Sequence, residues 1–259
     1  MINLENATVD FGGVGGVVLD RLSLTVRQGE FVSVVGSSGC GKSTLLNVIA
    51  GLDRPRSGVV AVESEPALIF QDPALFAWLS ARENVALALH DKGMRRADRA
   101  SEADRLLRLV GLAGEENKRP HEMSGGMRQR VAIARALARG SRLLLMDEPF
   151  SALDAITRDV LHEELVTLWK ERGLTVVFVT HNVREAVTLG QRVILMAAKP
   201  GRIVNEWRVD EPYPRDASCD AVHFLERQIT RALKDLSIGL VARDEDDRMV
   251  STEACSVVA

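Results

Sequence analysis

One short stretch constrains this chain more than any other. Gly36-Ser37-Ser38-Gly39-Cys40-Gly41-Lys42-Ser43-Thr44 fits the pattern GxxxxGK[ST]. Ahead of it, residues 31–35 form a valine-rich apolar run bounded by Gly29 and Gly36, as expected of a strand buried on both faces of a parallel sheet. Behind it, Leu45, Leu46, Val48 and Ile49 predict a helix from Lys42 to about Gly51. This strand, loop and helix setting is the one in which the motif acts as a phosphate loop. Gly39 and Gly41 let the backbone curl so that its N–H groups face a β-phosphate, and the helix N-terminus reinforces them. Lys42 adds a positive charge and Ser43 offers a hydroxyl to Mg²⁺. Cys40 reads as a small filler, because a phosphate beside it disfavours a thiolate.

The rest of the chain alternates in a way that extends the sheet. Residues 143–146, 176–179 and 193–196 are further continuous apolar runs, and a helix is predicted over 155–172 between the first two. Residues 22–26 alternate apolar and polar like a half-buried strand, with Gly12, Gly13, Gly15 and Gly16 marking a loop before it. Residues 73–139 read as a helical lobe that interrupts the sheet, with Ala103, Leu106, Leu107 and Val110 at helical spacing. A last helix is expected over 220–236. These features predict one α/β domain over residues 1–236 and a polar, flexible tail over 237–259.

Composition removes several classes. Basic residues number 33 and acidic residues 36, for a net charge of −3, so no global field holds nucleic acid. The longest apolar runs fall well short of the roughly 18 residues of a spanning helix. Cys40, Cys219 and Cys255 form no CxxC pair, which argues against a zinc site or a disulfide framework. The N-terminus lacks the basic start and apolar core of a secretory signal, so a cytoplasmic location is expected.

Two more segments decide among nucleotide-using classes. Residues 143–148 end an apolar strand in Asp147 and Glu148, which at the C-terminal edge of a parallel sheet face the ligand crevice. The two acids point differently, so Asp147 can serve a Mg²⁺ shell while Glu148 serves an attacking water. Met123-Ser124-Gly125-Gly126-Met127-Arg128-Gln129-Arg130 leads into a good helix former, with Ser124 as N-cap and two glycines that let a phosphate approach the helix start.

Here the sequence resembles the ATP-binding cassette (ABC) ATPases, whose LSGGQ-like signature Ser124, Gly125 and Gly126 match. The resemblance implies a P-loop ABC ATPase fold with a RecA-like parallel sheet core, an antiparallel β subdomain and a helical subdomain. It implies a Q-loop role in Mg²⁺ or water sensing for Gln71, a D-loop at Ser151-Ala152-Leu153-Asp154, and a γ-phosphate contact for His181. Phe11 stands near the family's adenine-stacking aromatic, although an aromatic at a strand end also serves packing. Residues 180–204 look like the nitrate/sulfonate/taurine importer branch. Departures are a short connection from Gly58 to Gln71, Ser37 in place of a common proline, and Met123 in place of a common leucine. The resemblance implies two copies facing head to tail around ATP, transmembrane permease subunits, a solute-binding protein acting through the complex, and the cytoplasmic face of the membrane. A soluble ABC ATPase of DNA repair or translation is the rival, but such proteins carry coiled-coil insertions, zinc modules or paired cassettes. Phe76 and Trp78, just past Gln71, read equally as core packing or as part of the groove that receives a permease helix.

Overall fold

The computed structural model of the chain describes residues 1–12, 16–215 and 219–255; Gly13 and Gly15 of the predicted glycine loop lie outside them. The antiparallel sheet forms first, from β1 (Ile2–Asp10), β2 (Val17–Val26) and β4 (Ser57–Val62), in the order β2-β1-β4. Between β2 and β4 the chain contributes β3 (Phe31–Gly36) and α1 (Lys42–Ile49). All six residues of β3 are buried, polar Ser33 included, as expected of a central parallel strand dominated by apolar residues. The main sheet has the order β5-β6-β7-β3-β8-β9, built from β5 (Pro66–Ile69), β6 (Leu143–Asp147), β7 (Thr175–Thr180), β8 (Arg192–Ala197) and β9 (Arg202–Arg208). The first five strands are parallel and β9 is antiparallel to β8.

The helical lobe holds α2 (Ala81–Leu87), α3 (Arg96–Leu109) and α4 (Gly125–Ala138). Ala103, Leu106 and Leu107 are the buried stripe of α3, as their spacing predicts. They join Val131, Phe150, Leu161 and Trp169 in one core cluster, so the lobe and α5 (Ala155–Arg172) share the same side of the sheet. The opposite face packs α1 against the antiparallel sheet through Leu19, Leu45, Leu46 and Ile49. α5 starts on Asp154, whose side chain accepts from the Thr157 N–H at 2.9 Å, and ends at Gly173 in the left-handed conformation. A cap of this kind is worth about 1 kcal/mol.

Several elements go beyond the sequence reading, among them β9 and the last helix. β9 was not predicted, because only Ile203 and Trp207 on it are even half-buried and the rest, exposed Val204 apart, is polar, as befits an edge strand. The last helix, α7 (Asp220–Cys255), follows α6 (Val183–Leu189) in the fold and continues beyond residue 236, where the sequence predicts its end. No proline interrupts 220–255, so the backbone can stay helical through the charged run that reads as a tail. Among the described residues no helix is long and apolar enough to cross a membrane.

Candidate nucleotide site

The C-terminal edge of the main sheet gathers the segments singled out above, since β3, β5, β6 and β7 all point that way. β3 runs into the loop 36–44, β6 ends on Asp147, β7 is followed by His181, and β5 is followed by Gln71. A cavity of about 410 Å³ opens there, lined by Val18, Ser38, Gly39, Gly41, Lys42, Ser43, Thr44, Glu148 and His181.

The loop's shape follows from its sequence. Gly41 takes φ +91°, and a Cβ there would come within 2.6 Å of Leu19 Cδ2, so any side chain at this position is strained and must displace Leu19. Lys42 is 8% exposed, and its Nζ donates to the carbonyls of Gly36 at 2.9 Å and Ser37 at 3.1 Å. The ammonium is thus a point charge fixed at the cavity wall. Gly36 and Cys40 form the loop's buried back, while Ser38 and Gly39 are exposed at its tip. Burial pushes the Cys40 thiol above its ordinary value, in keeping with a filler rather than a nucleophile.

Asp147 and Glu148 meet different partners. Burial pushes the Asp147 carboxyl up; a hydrogen bond from Ser43 opposes this, the charge of Glu148 adds to it, and Lys42 opposes it. A divalent cation beside Ser43 and Asp147 would relieve that buried charge. The donors fit Mg²⁺, a hard ion held by one or two oxygen side chains together with substrate phosphates. Among the described residues no cluster of three or more His, Cys, Asp or Glu that could hold a metal ion occurs. Glu148 has φ +45°, a strained conformation of the kind that concentrates at functional sites. Its N–H donates to Val179 O at 2.9 Å, and its carbonyl accepts from the Ser151 hydroxyl at 2.9 Å. His181 Nδ1 donates to Glu148 Oε2 at 2.8 Å.

Other predicted residues stand apart from this cavity. Gln71 is exposed at the sheet edge, and Phe11 is 60% exposed without lining the cavity. Ser124 caps α4 by accepting from the Met127 N–H at 3.3 Å, and Asp154 caps α5 nearby. Gly126 lies against α5 so closely that a Cβ would be 2.6 Å from Thr157 Cγ2. Val18 lines the cavity and was missed; it is the second residue of β2 and carries no local motif, and it is placed beside Gly41 by the pairing of β2 with β1 and by the long-range approach of residue 201 to residues 18–20.

Comparison with known proteins agrees with this geometry. The family profile described as ABC transporter matches residues 19–151, and one described as P-loop domain matches residues 115–205. The chain belongs to the ABC transporter ATPase family. Like other members it binds ATP and hydrolyses it in support of transport. The cassette is 41% identical over 93% of its length to the taurine import ATP-binding protein TauB of Jannaschia sp. (strain CCS1), covering 93% of that protein. It is 44% identical over 85% of its length to the bicarbonate transport ATP-binding protein CmpC of Synechococcus elongatus, covering 35% of that protein. Among solved structures, a dimeric ATP-binding cassette in a post-hydrolysis state bound to ADP and Pi superposes with TM-score 0.73 at 34% identity, over 82% of this chain and 100% of that one.

Proposed function

We propose that this cassette is the ATP-hydrolysing subunit of an importer for a small anionic solute of the nitrate, sulfonate or taurine type, working on the cytoplasmic face of the membrane. The observation that carries the hydrolytic part is the convergence of the phosphate loop, Glu148 and His181 on one cavity. The solute class is supported by relatives named for taurine and bicarbonate, both of which carry an anionic group. ATPase stimulation of the assembled complex by a panel of such anions tests it; stimulation by neutral sugars alone would overturn the class.

In this reading the loop N–H groups and Lys42 hold the phosphates, and Ser43 with Asp147 would hold Mg²⁺, which when bound would supply charge neutralisation at the phosphoryl group. Glu148 orients and deprotonates the attacking water, His181 meets the γ-phosphate, and Gln71 senses Mg²⁺ or water from the adjacent strand end. Phe11 stacks on the adenine. A second copy, head to tail, covers the nucleotide with Ser124, Gly125 and Gly126, and its Asp154 loop lies beside the same site. A solute-binding protein acts through the permease.

Ser124 offers a test of the shared site. Ser124→Arg should leave nucleotide binding by the isolated subunit intact and reduce hydrolysis at least about a hundredfold by blocking the opposite copy's phosphate. Because Ser124 also caps α4, Ser124→Ala serves as control, losing about 1 kcal/mol of stability without the obstruction. Equal loss of binding in Ser124→Arg would make the segment a local folding element.

Phe76 and Trp78 are not core residues: they are 37% and 69% exposed, with ring centroids 5.3 Å apart. Fully buried Asn84 holds the loop that displays them, accepting from the Phe76 N–H at 2.9 Å and donating to the carbonyls of Phe76, Leu79 and Ser80. This braced aromatic pair suits a permease helix. Trp78→Ser should weaken co-purification with the permease by about tenfold or more while the isolated ATPase rate stays the same. Unchanged assembly would return the pair to the status of ordinary surface.

A further inference from the structure

Behind His181 runs a chain of polar contacts that the hydrolytic scheme above does not use. Glu185, on the first turn of α6, is 5% exposed. Thr180, the last residue of β7, donates its hydroxyl to Glu185 Oε2 at 2.6 Å and accepts the Asn182 N–H at 3.0 Å. Asn182 in turn caps α6, its side-chain oxygen accepting from the N–H groups of Arg184 at 3.0 Å and Glu185 at 3.4 Å. Both neighbours of His181 are therefore fixed by bonds that converge on the start of α6.

The other side of Glu185 leads to a different loop. Arg158 Nε lies 3.3 Å from Glu185 Oε1, while Arg158 Nη2 donates to the Leu153 carbonyl at 2.8 Å. Leu153 directly precedes Asp154, the cap of α5. One guanidinium thus spans from the loop 151–154 to the carboxylate that supports residue 180. His162 also approaches Glu185, its Nε2 being 4.0 Å from Oε1, but burial depresses the His162 pKa to about 4 and leaves it neutral at pH 7. The positive charge that faces Glu185 at ion-pair distance is that of Arg158. The strand end held in this way is also bonded to the acid, because Val179 O accepts the Glu148 N–H at 2.9 Å.

We propose that Glu185 and Arg158 are positioning residues that set His181 against Glu148 and tie that pair to the loop 151–154. When a second copy of this chain settles against that loop, the shift of Leu153 is carried by a rigid fork and a buried carboxylate to the strand end bearing His181. Arginine suits the task because its rigid planar guanidinium donates from Nη2 to the Leu153 carbonyl while its charge stays 3.3 Å from Glu185 Oε1 as an ion pair in which Nε makes no hydrogen bond, a placement that a lysine ammonium on a flexible stem does not fix. The proposal rests on the reading of Glu148 and His181 as the hydrolytic pair.

The test uses the full-length protein at saturating MgATP, with Glu185→Gln, Arg158→Lys, the double variant, and His181→Ala as control. Glu185→Gln keeps the shape and an oxygen for the Thr180 hydroxyl but loses the charge; Arg158→Lys keeps the charge but loses the fork. Each should lower kcat about tenfold with KM for ATP changed less than about twofold, since an effect on kcat alone marks an interaction needed in the transition state. The double variant should be no slower than the slower single one, because coupled groups are not additive. A melting temperature and nucleotide affinity that fall while kcat per folded molecule holds would mean a structural brace and overturn the proposal, as would strictly additive losses. If His181→Ala is inactive while both single variants turn over normally, this inference alone falls. If His181→Ala itself turns over normally, the assignment beneath it falls as well.

Discussion

Lys42→Ala should abolish turnover, with a loss of at least about a hundredfold, the scale expected when one fixed electrostatic donor is removed from a phosphoryl-transfer site. Lys42 is 8% exposed and its ammonium is held by the Gly36 and Ser37 carbonyls, so its position does not depend on the nucleotide for order. Removing it deletes the charge and leaves the carbonyl oxygens of Gly36 and Ser37 without the donor that holds them. Lys42→Arg should restore little, because a planar guanidinium does not occupy the compact place of a buried ammonium. Nucleotide binding is read separately by the rise in melting temperature with MgATP, which follows the ratio of free ligand to Kd. A smaller rise with near-complete loss of phosphate release is the expected pair of results. Normal hydrolysis by Lys42→Ala would remove the loop from the site.

How much of this was legible depended on whether the information was local. The parallel strands stood out because a strand buried on both faces is dominated by apolar residues, and residues 31–35, 143–146 and 176–179 follow that rule with Ser33 the one polar exception. The phosphate loop, Asp147 and Glu148 followed because each ends such a strand. β9 was missed since an edge strand has one exposed flank and needs no apolar run. Val18 was missed for a different reason: its place at the cavity is set by the pairing of β2 with β1 and by backbone bonds to Gly201, far along the chain. Asn84, Arg158 and Glu185 likewise look like ordinary polar residues of helices until the fold brings Phe76, Leu153 and Thr180 to them. The exposure of Phe76 and Trp78 also had to come from the structure, because a short aromatic segment has no periodicity to say which way it faces.

Glu148→Gln should separate binding from chemistry more sharply than any other change. Glutamine keeps the size of the side chain and still offers an oxygen to the His181 Nδ1–H, now 2.8 Å from Glu148 Oε2. The strained backbone at φ +45° costs about the same for either residue, so the substitution adds no new conformational penalty. Lys42, Ser43 and Asp147 are untouched, and nucleotide affinity should stay within about twofold of wild type, the change being confined to a proton acceptor. What is lost is basicity toward the attacking water, and with it roughly a hundredfold to ten-thousandfold in rate. If ATP bridges two copies and hydrolysis removes the bridge, a variant that binds but does not hydrolyse must accumulate as the ATP-bound dimer. Size-exclusion chromatography in MgATP should therefore show a dimer for Glu148→Gln where wild type, turning over, runs mainly as monomer. Adding ADP in place of ATP should dissolve that dimer, since the γ-phosphate is the part of the nucleotide that Ser124 of the opposite copy would cover. Near-normal phosphate release by Glu148→Gln would assign the base elsewhere, and a dead variant that stays monomeric in ATP would break the link between the closed dimer and the chemistry.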